Sequence, residues 1–198
     1  MTVAVDQGEA ACHDLLIRLA GRVPDRLLWR LREWLATGAF DAVAALLPRA
    51  LLRYRVGLTD SERDLLEDAV GERASRRVLD AVLTAWQPDV PDVAFRPVPD
   101  PDVAALSMLA VARGEPGCVE LRQAVRAGGK RDQRVVIVRV DGGRPWALAG
   151  TLARLLRAHG DPTPCVEVFV AGEPPAYHRA ALAGSALLWQ RSPDPAAG

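Results

Sequence analysis

Between Cys118 and Trp189 the spacing of apolar residues changes from a strand period to a helix period and back. Apolar and polar residues alternate through residues 119–127, with Gln123 as the one polar side chain on the apolar side. Residues 135–140 follow as a nearly continuous apolar run. Alternation is typical of a half-buried strand and a short apolar run of a central strand, so the pattern predicts a strand in each segment.

The flanking segments extend this pair into a longer series of strands and helices. In chain order the predicted elements are a strand at 93–98, a helix begun by Asp100 and Pro101 and ending near Arg113, strands at 119–127 and 135–140, a helix at 146–159, a strand at 166–170 and a helix at 176–189. Asp is a favoured cap and Pro a favoured first residue of a helix. The second half therefore has the order βαββαβα.

Without its last helix, this order is that of the ferredoxin-like split βαβ plait. We therefore predict an α+β protein whose second half is a ferredoxin-like mixed sheet with an additional C-terminal helix. One segment leaves an alternative open. Leu121, Ala124 and Val125 also share a helical face, and a helix there would make the sheet more parallel and Rossmann-like.

The first half has helical spacing throughout. The predicted helices cover residues 10–20, 25–36, 41–52 with Pro48 as a kink or new start, 60–70 and 73–86. Thr59 and Glu62 have the spacing of a capping box at the start of the fourth helix. Five short helices in this length predict a compact bundle.

The segment Gln87–Asp92 is the best candidate for a domain boundary. It consists mainly of Pro and Asp, which disfavour both helix and strand. We therefore predict a helical bundle at 1–87 and an α/β domain at 93–190. The last residues, 191–198, are rich in Pro, Asp and Ala and predict a disordered tail.

The composition indicates where in the cell the protein is expected. Apolar residues make up 49% and charged residues 25% of the 198 residues, which are ordinary globular values. No apolar run approaches the roughly 18–20 residues that span a bilayer. Met1–Glu9 holds acidic but no basic residues, unlike a signal peptide. Because Cys12, Cys118 and Cys165 are also too widely spaced for a disulfide framework, we expect a soluble cytoplasmic protein with no membrane contact.

The charge pattern argues against nucleic acid as the partner. The net charge is zero, with 12 basic against 15 acidic residues up to position 92 and 13 against 10 after it. Lys130 is the one Lys among the 25 basic residues, and this Arg bias is best explained by a GC-rich bacterial genome. An Arg-rich stretch at 18–58 is followed by an acidic stretch at 60–72, as expected of neighbouring helices that face each other. A nucleic-acid binder usually has a strong basic excess.

Residues that could carry chemistry are few. The loop at 141–146 joins a strand to a helix, where Arg144 and free N–H groups could bind an anion, although turn chemistry also explains its glycines. His159, Cys165 and Glu167 lie close together in sequence and His178 follows, so a Cys–His pair could be nucleophilic, but buried Cys is usually inert. The His and Cys residues lack metal-site spacing. We therefore predict no catalytic residue, metal or cofactor.

Trp29 is the best sequence candidate for a binding residue. Its neighbours Leu28, Leu31 and Leu35 share one face of a predicted helix, whereas Trp29 lies near the opposite side. Such a Trp is either covered by another part of the fold or is an anchor for a partner. The arginines that would surround an anchor are Arg26, Arg30 and Arg32.

We therefore expect a non-catalytic protein-interaction or regulatory protein whose partner is another protein of unknown identity. Trp29, its arginines and Arg144 are the expected contacts, and the small residues of the helix at 176–189 offer a surface for homo-oligomers. The alternatives are a small-ligand-binding regulatory domain, an enzyme of unrecognised class and a nucleic-acid binder. A partner contact at Trp29 requires that its ring be exposed.

Overall fold

The computed structural model of the chain describes residues 2–86, 93–98, 100–127, 132–170 and 172–192, with side chains described from Gln7 onward. The predicted boundary at 87–92 and most of the predicted tail lie outside the described residues. The described elements confirm the α+β class. The helices are α1 (Thr2–Arg18), α2 (Asp25–Ala36), α3 (Phe40–Tyr54), α4 (Asp60–Val70), α5 (Arg76–Asp80), α6 (Val103–Gly114), α7 (Pro145–Ala158) and α8 (Ala176–Ala183).

Local sequence signals account for several helix ends. The capping box is present: the Thr59 side chain accepts from the Glu62 N–H while the Glu62 carboxylate accepts from the Thr59 N–H. Helix α2 has the predicted bounds, and α3 continues through Pro48. The expected cap of α6, Asp100, is wrong by two residues. The cap is Asp102, whose carboxylate accepts from the Ala105 N–H at 2.9 Å.

The prediction of a helix over 73–86 is wrong beyond Asp80. The chain leaves the helix there and forms a single parallel bridge between Thr84 and Leu58. The Leu58 N–H donates to Leu83 O and the Ala85 N–H donates to Leu58 O, each at 2.8 Å. These two bonds replace the helical ones that the backbone would otherwise make. No longer strand occurs between residues 2 and 86, as predicted.

The second half forms one mixed sheet. Its strands are β1 (Ala94–Pro97), β2 (Cys118–Ala127), β3 (Gln133–Val140), β4 (Cys165–Val170) and β5 (Ala186–Gln190). Strand β2 pairs antiparallel with β3, and β3 pairs parallel with β4. Strands β1 and β5 lie end to end along the other side of β2, β1 beside residues 124–127 and β5 beside residues 120–123. The strand assignment of residues 119–127 is therefore confirmed.

The strand order differs from both predicted sheets. The order β1-β2-β3-β4 follows the chain, whereas the ferredoxin-like plait interleaves its two βαβ units. A Rossmann-like sheet is also not observed, because β3 and β4 are the one parallel strand pair among the described residues. The hydrophobic pattern identifies strands but not which strands pair, and this explains the difference.

The predicted helix at 176–189 is wrong in its second half. Helix α8 ends at Ala183, and the chain then returns to the sheet as β5. Gly184 makes this turn against β1, where a Cβ atom would lie only 2.6 Å from the Phe95 carbonyl oxygen. The close approach requires Gly, and pairing with β2 then satisfies the backbone of β5.

The central strand β3 is buried on both faces, as predicted. Val136, Val138 and Val140 pack with α6 and α7 on one face. Val135 and Ile137 pack with Ala181 of α8 and with Ile17 of α1 on the other face. The helices of the first half therefore contribute directly to the core of the sheet.

Two further contacts show that the halves share a core. Trp146 of α7 and Tyr177 of α8 belong to the same buried cluster as the leucines of α1 to α4. Trp29 of α2 instead belongs to the cluster of the sheet and α7. The division of the chain into domains at 1–87 and 93–190 stays a prediction.

Candidate functional site

The most polar part of the interior is centred on Glu167 of β4, which is completely buried. Arg32 of α2 binds its carboxylate with two parallel hydrogen bonds, to Oε1 at 2.7 Å and to Oε2 at 2.6 Å. His178 of α8 donates from Nε2 to the same Oε2 at 2.8 Å, since an ionised carboxylate can only accept. Three elements thus converge on one carboxylate.

The same side chains also satisfy the edge of the sheet. Strand β4 is the last strand in the order, so alternate carbonyl groups of its backbone have no neighbouring strand. Arg32 donates to Val166 O at 2.8 Å, and His13 of α1 donates from Nε2 to Val168 O at 2.8 Å. Helices α1 and α2 therefore close this edge with side-chain donors, which prevents it from pairing with another chain.

The polar network continues towards the surface through α8. The ring of Tyr177 packs edge-on against His178, with ring centres 5.2 Å apart. Arg126 of β2 donates to the Tyr177 hydroxyl at 3.1 Å and forms an ion pair with Asp25 at the start of α2. We call the residues Asp25, Arg126, Tyr177, His178, Glu167 and Arg32 the buried network.

The electrostatics of the buried network keep Glu167 and Arg32 ionised. Burial on its own raises the pKa of Glu167, but Arg32 and His178 outweigh burial and hold that pKa well below its usual value. Burial likewise acts to lower the pKa of Arg32, but the Glu167 carboxylate shifts it above its usual value. The pair is therefore charged at all ordinary pH values.

Neighbouring groups are poorly suited to acid–base or nucleophilic chemistry. Burial, followed by the negative charge of Glu167, raises the pKa of the Cys165 thiol, so this thiol does not ionise near neutrality. Burial raises the pKa of Tyr177 as well. Burial and the charge of Arg32 lower the pKa of His13 to about 4. The geometry thus supports a structural role, fastening α1, α2 and α8 to β4.

The absence of a metal site stays a prediction. Within the described ranges, no group of three or more His, Cys, Asp or Glu side chains could hold a metal ion. The cysteines Cys12, Cys118 and Cys165 are all free and buried. Burial, with a smaller effect of Glu9, raises the pKa of Cys12 to about 12.

Trp29 is covered by the fold. Its side chain is buried, with the residue only 9% exposed, and the Arg157 guanidinium of α7 lies 4.7 Å from its ring centre. The structure therefore supports the interpretation in which another helix, α7, covers Trp29. Arg30 lies 5.9 Å from the Trp29 ring and 5.7 Å from the Trp34 ring.

The remaining predicted site residues do not form one surface with Trp29. Arg32 belongs to the buried network, whereas Arg26 is exposed. Arg144 pairs with Glu9 of α1 at 2.5 Å and lies 5.3 Å from the Trp146 ring centre. A partner role for these residues stays a prediction, and the structure does not bring them together.

The most exposed large apolar residue of the described chain is Trp86, which is 96% exposed. It follows the bridge between Thr84 and Leu58, and Leu83 on the same segment is nearly half exposed. We call Leu83 and Trp86, which this segment carries, the Trp86 surface.

Sequence reasoning missed this surface because Trp86 was assigned to the end of a helix. A signal was present, since Trp86 directly precedes the segment at 87–92, whose Pro and Asp residues disfavour a helix.

An open groove lies elsewhere, between α1, α3 and α4, with a volume of about 820 Å³. Its lining includes five carboxylates, from Glu9, Asp41, Glu67, Asp68 and Glu72, and the ring of Phe40. Arg73 lies 3.5 Å from Asp41 and 5.0 Å from the Phe40 ring centre, so part of this negative charge is neutralised within the chain.

Comparison with known proteins adds no relative. No protein-family model, curated protein or solved structure matches the chain. Among the described helices, none combines the length and the apolar character needed to cross a membrane.

Proposed function

We propose that this protein acts without catalysis, as an interaction or regulatory protein that binds another protein through the Trp86 surface. The observation that carries the proposal is the 96% exposure of Trp86, on a segment that also carries the nearly half-exposed Leu83. A large aromatic ring in water costs free energy, which binding to a partner recovers. Trp and Tyr are also the residues most often found at the energetic centre of interfaces.

The local backbone supports this role. Two hydrogen bonds to Leu58 hold the segment that carries Leu83 and Trp86, and Arg63 of α4 donates to Val82 O at 2.7 Å. Val82 itself is buried and anchors the segment to the bundle. A segment held in place presents its exposed side chains with a smaller loss of entropy on binding than a flexible one.

The buried network supports the non-catalytic part of the proposal. Glu167, Arg32 and His178 lie inside the core, and the carboxylate of Glu167 is already bound by the other two. A catalytic carboxylate or thiol must reach a substrate, and Glu167 and Cys165 are both buried. We keep the cytoplasm as the proposed compartment, which the free thiols favour.

The test compares three single substitutions in the full chain. Trp86→Ala should abolish capture of host proteins in a pull-down with mass spectrometry while leaving the thermal midpoint unchanged, because the ring makes few contacts. Leu187→Ala changes an exposed apolar residue of β5, outside the Trp86 surface, and should leave capture unchanged. Trp29→Ala removes a buried ring and should lower the thermal midpoint. Partners that depend equally on Trp86 and Leu187, or on neither, would contradict the proposal.

A small-ligand-binding regulator is the second candidate, and the 820 Å³ groove is the observation that favours it. Its carboxylates would select a cationic ligand rather than an anion. Thermal-shift measurements with divalent cations and polyamines distinguish the two functions. Stabilisation that Glu72→Gln removes would support the groove, and its absence would leave the Trp86 surface as the better explanation.

A further inference from the structure

Helix α6 has two apolar faces, and only one of them is covered. The residues Ala104, Ala105, Met108 and Ala112 are buried against the sheet and α7. On the opposite side Val103 is 69% exposed and Leu106 is 53% exposed, and Ala110 is also exposed. No residue from 103 to 112 is charged. A surface helix of a monomer normally has a polar outer face, which α6 lacks.

The exposed residues have a regular spacing. Val103, Leu106, Ala110 and Arg113 follow one another at intervals of three, four and three residues. This alternation is the a/d spacing of a seam that packs against another helix. We call these four residues the α6 seam. Its apolar part is continuous over about two turns.

Charged residues lie at both ends of the helix. Asp100 and Asp102 lie before the first turn, Arg113 of the seam lies in the last turn, and Glu115 follows as the C-cap. Asp102 caps the helix and pairs with Arg134, whereas Asp100 and Arg113 have no ion pair within the part of the chain that the structure describes. A second helix that lies antiparallel on the seam would find an acidic group opposite Arg113 and a basic group opposite Asp100.

We propose that the α6 seam binds a second copy of this chain, in an antiparallel arrangement about a two-fold axis. In a two-fold pair each surface must complement itself, and a seam that is apolar in the middle and oppositely charged at its ends meets this condition. Leu106 of one copy lies near Ala110 of the other, and Arg113 lies near the acidic end of the partner helix. This contact is separate from the Trp86 surface.

The length of α6 sets the expected strength of the dimer. Twelve residues form a helix about 18 Å long, which is short compared with the interfaces of permanent dimers. The dimer should therefore be reversible and should populate with increasing protein concentration. Sedimentation equilibrium of the full chain, from low micromolar to near-millimolar concentration, measures this directly. A monomer at every concentration would overturn the proposal.

Substitutions locate the contact. Leu106→Asp places a charge in the seam and should weaken self-association by about tenfold or more. Ala110→Glu is a second variant with the same expectation, and circular dichroism verifies that each variant is folded. Leu83→Asp changes an equally exposed Leu on the Trp86 surface and should have no effect, as should Trp86→Ala. A dimer that Leu106→Asp and Ala110→Glu leave intact would show that the contact is elsewhere.

Charge reversal tests the antiparallel direction. Arg113→Glu should weaken the dimer because it brings two acidic groups together, and Asp100→Arg added to it should restore self-association. Asp100 is preferred to Asp102 for this purpose because Asp102 caps the helix. If the double variant remains as weak as Arg113→Glu, the antiparallel arrangement is wrong.

Discussion

At the scale of single residues, the dominant feature is the ion pair between Arg32 and Glu167 inside the core. A buried pair gains little over apolar residues of similar size, but its partial removal is costly because one charge then remains without a partner. In this protein the pair also bonds to the β4 backbone through Arg32. Its value therefore lies in aligning α2 with β4 as much as in net stability.

Glu167→Gln should accordingly lower the free energy of unfolding by about 3–5 kcal/mol, because it leaves Arg32 charged and buried. The double substitution Arg32→Met with Glu167→Met should recover much of that loss. Arg76→Ala, which breaks an exposed ion pair with Glu67, is the control and should cost less than about 1 kcal/mol. Denaturant titration measures all three. A loss below about 1 kcal/mol for Glu167→Gln would mean that water reaches Arg32.

His13 makes a pH-dependent contribution. Its pKa is lowered from 6.5 to about 4 in the folded chain, so between these values the unfolded chain binds the additional proton. Stability should therefore fall as the pH drops below about 6.5, and this contribution should level off below about pH 4, after a loss of roughly 3 kcal/mol. The lowered pKa of Glu167 adds a loss only below its ordinary pKa of 4.5.

His13→Gln removes this titration and should flatten the stability profile between pH 6.5 and pH 4.5, measured by urea titration at each pH. His159→Gln is the control, because His159 is exposed and bonded only to the Ser107 hydroxyl. If His13→Gln leaves the slope unchanged, another group carries the pH dependence.

At the scale of elements, β3 is the centre of the sheet. It pairs with β2 on one side and β4 on the other, and helices cover both its faces. Its apolar run was readable from the sequence because a strand buried on both faces cannot alternate with polar residues. Strand β5, by contrast, has the composition of a helix segment and becomes a strand only because β2 offers it backbone partners.

Ile137→Ala should lower the free energy of unfolding by about 2–5 kcal/mol, because it removes a completely enclosed side chain of the central strand. Val170→Ala, at the exposed end of β4, should cost much less. Denaturant titration gives both values. An Ile137→Ala loss under about 1 kcal/mol would require that the surrounding helices collapse into the space left behind.

At the scale of the whole molecule, the helices and the sheet are joined by a common interior. Trp146 and Tyr177 pack among the leucines of the first half, and Arg32 and His13 close the β4 edge. Some charged residues of the helical half therefore form ion pairs with oppositely charged residues of the sheet half. Asp25 with Arg126 is one such pair, and Glu9 with Arg144 is another.

We therefore expect a single cooperative unfolding transition in calorimetry, with equal calorimetric and van't Hoff enthalpies. The isolated segment 93–192 should expose Trp146 and the β4 edge and should bind a hydrophobic dye or aggregate. Two separate transitions in the full chain would contradict the shared core and would show that the two halves unfold independently.

Sequence reasoning identified most elements but not the site. Apolar spacing predicted α2, α4, α7 and the four strands before α8 within a few residues, because local burial leaves a periodic pattern. It did not find the buried network, because Arg32 lies 135 residues before Glu167 in the chain and no local pattern links it to Glu167 and His178. It also interpreted Trp29 from its own helix alone, whereas α7 covers the ring.

The sequence by itself determined the α+β class, the sites of most helices and strands, the capping of α4 and the two-sided burial of β3. These properties depend on neighbours within a few residues. Tertiary structure decided the strand order, the end of α8, the burial of Trp29 and the exposure of Trp86. These properties depend on contacts between segments that are distant in the chain. Such contacts follow from the packing and backbone pairing of the whole chain and leave no local pattern.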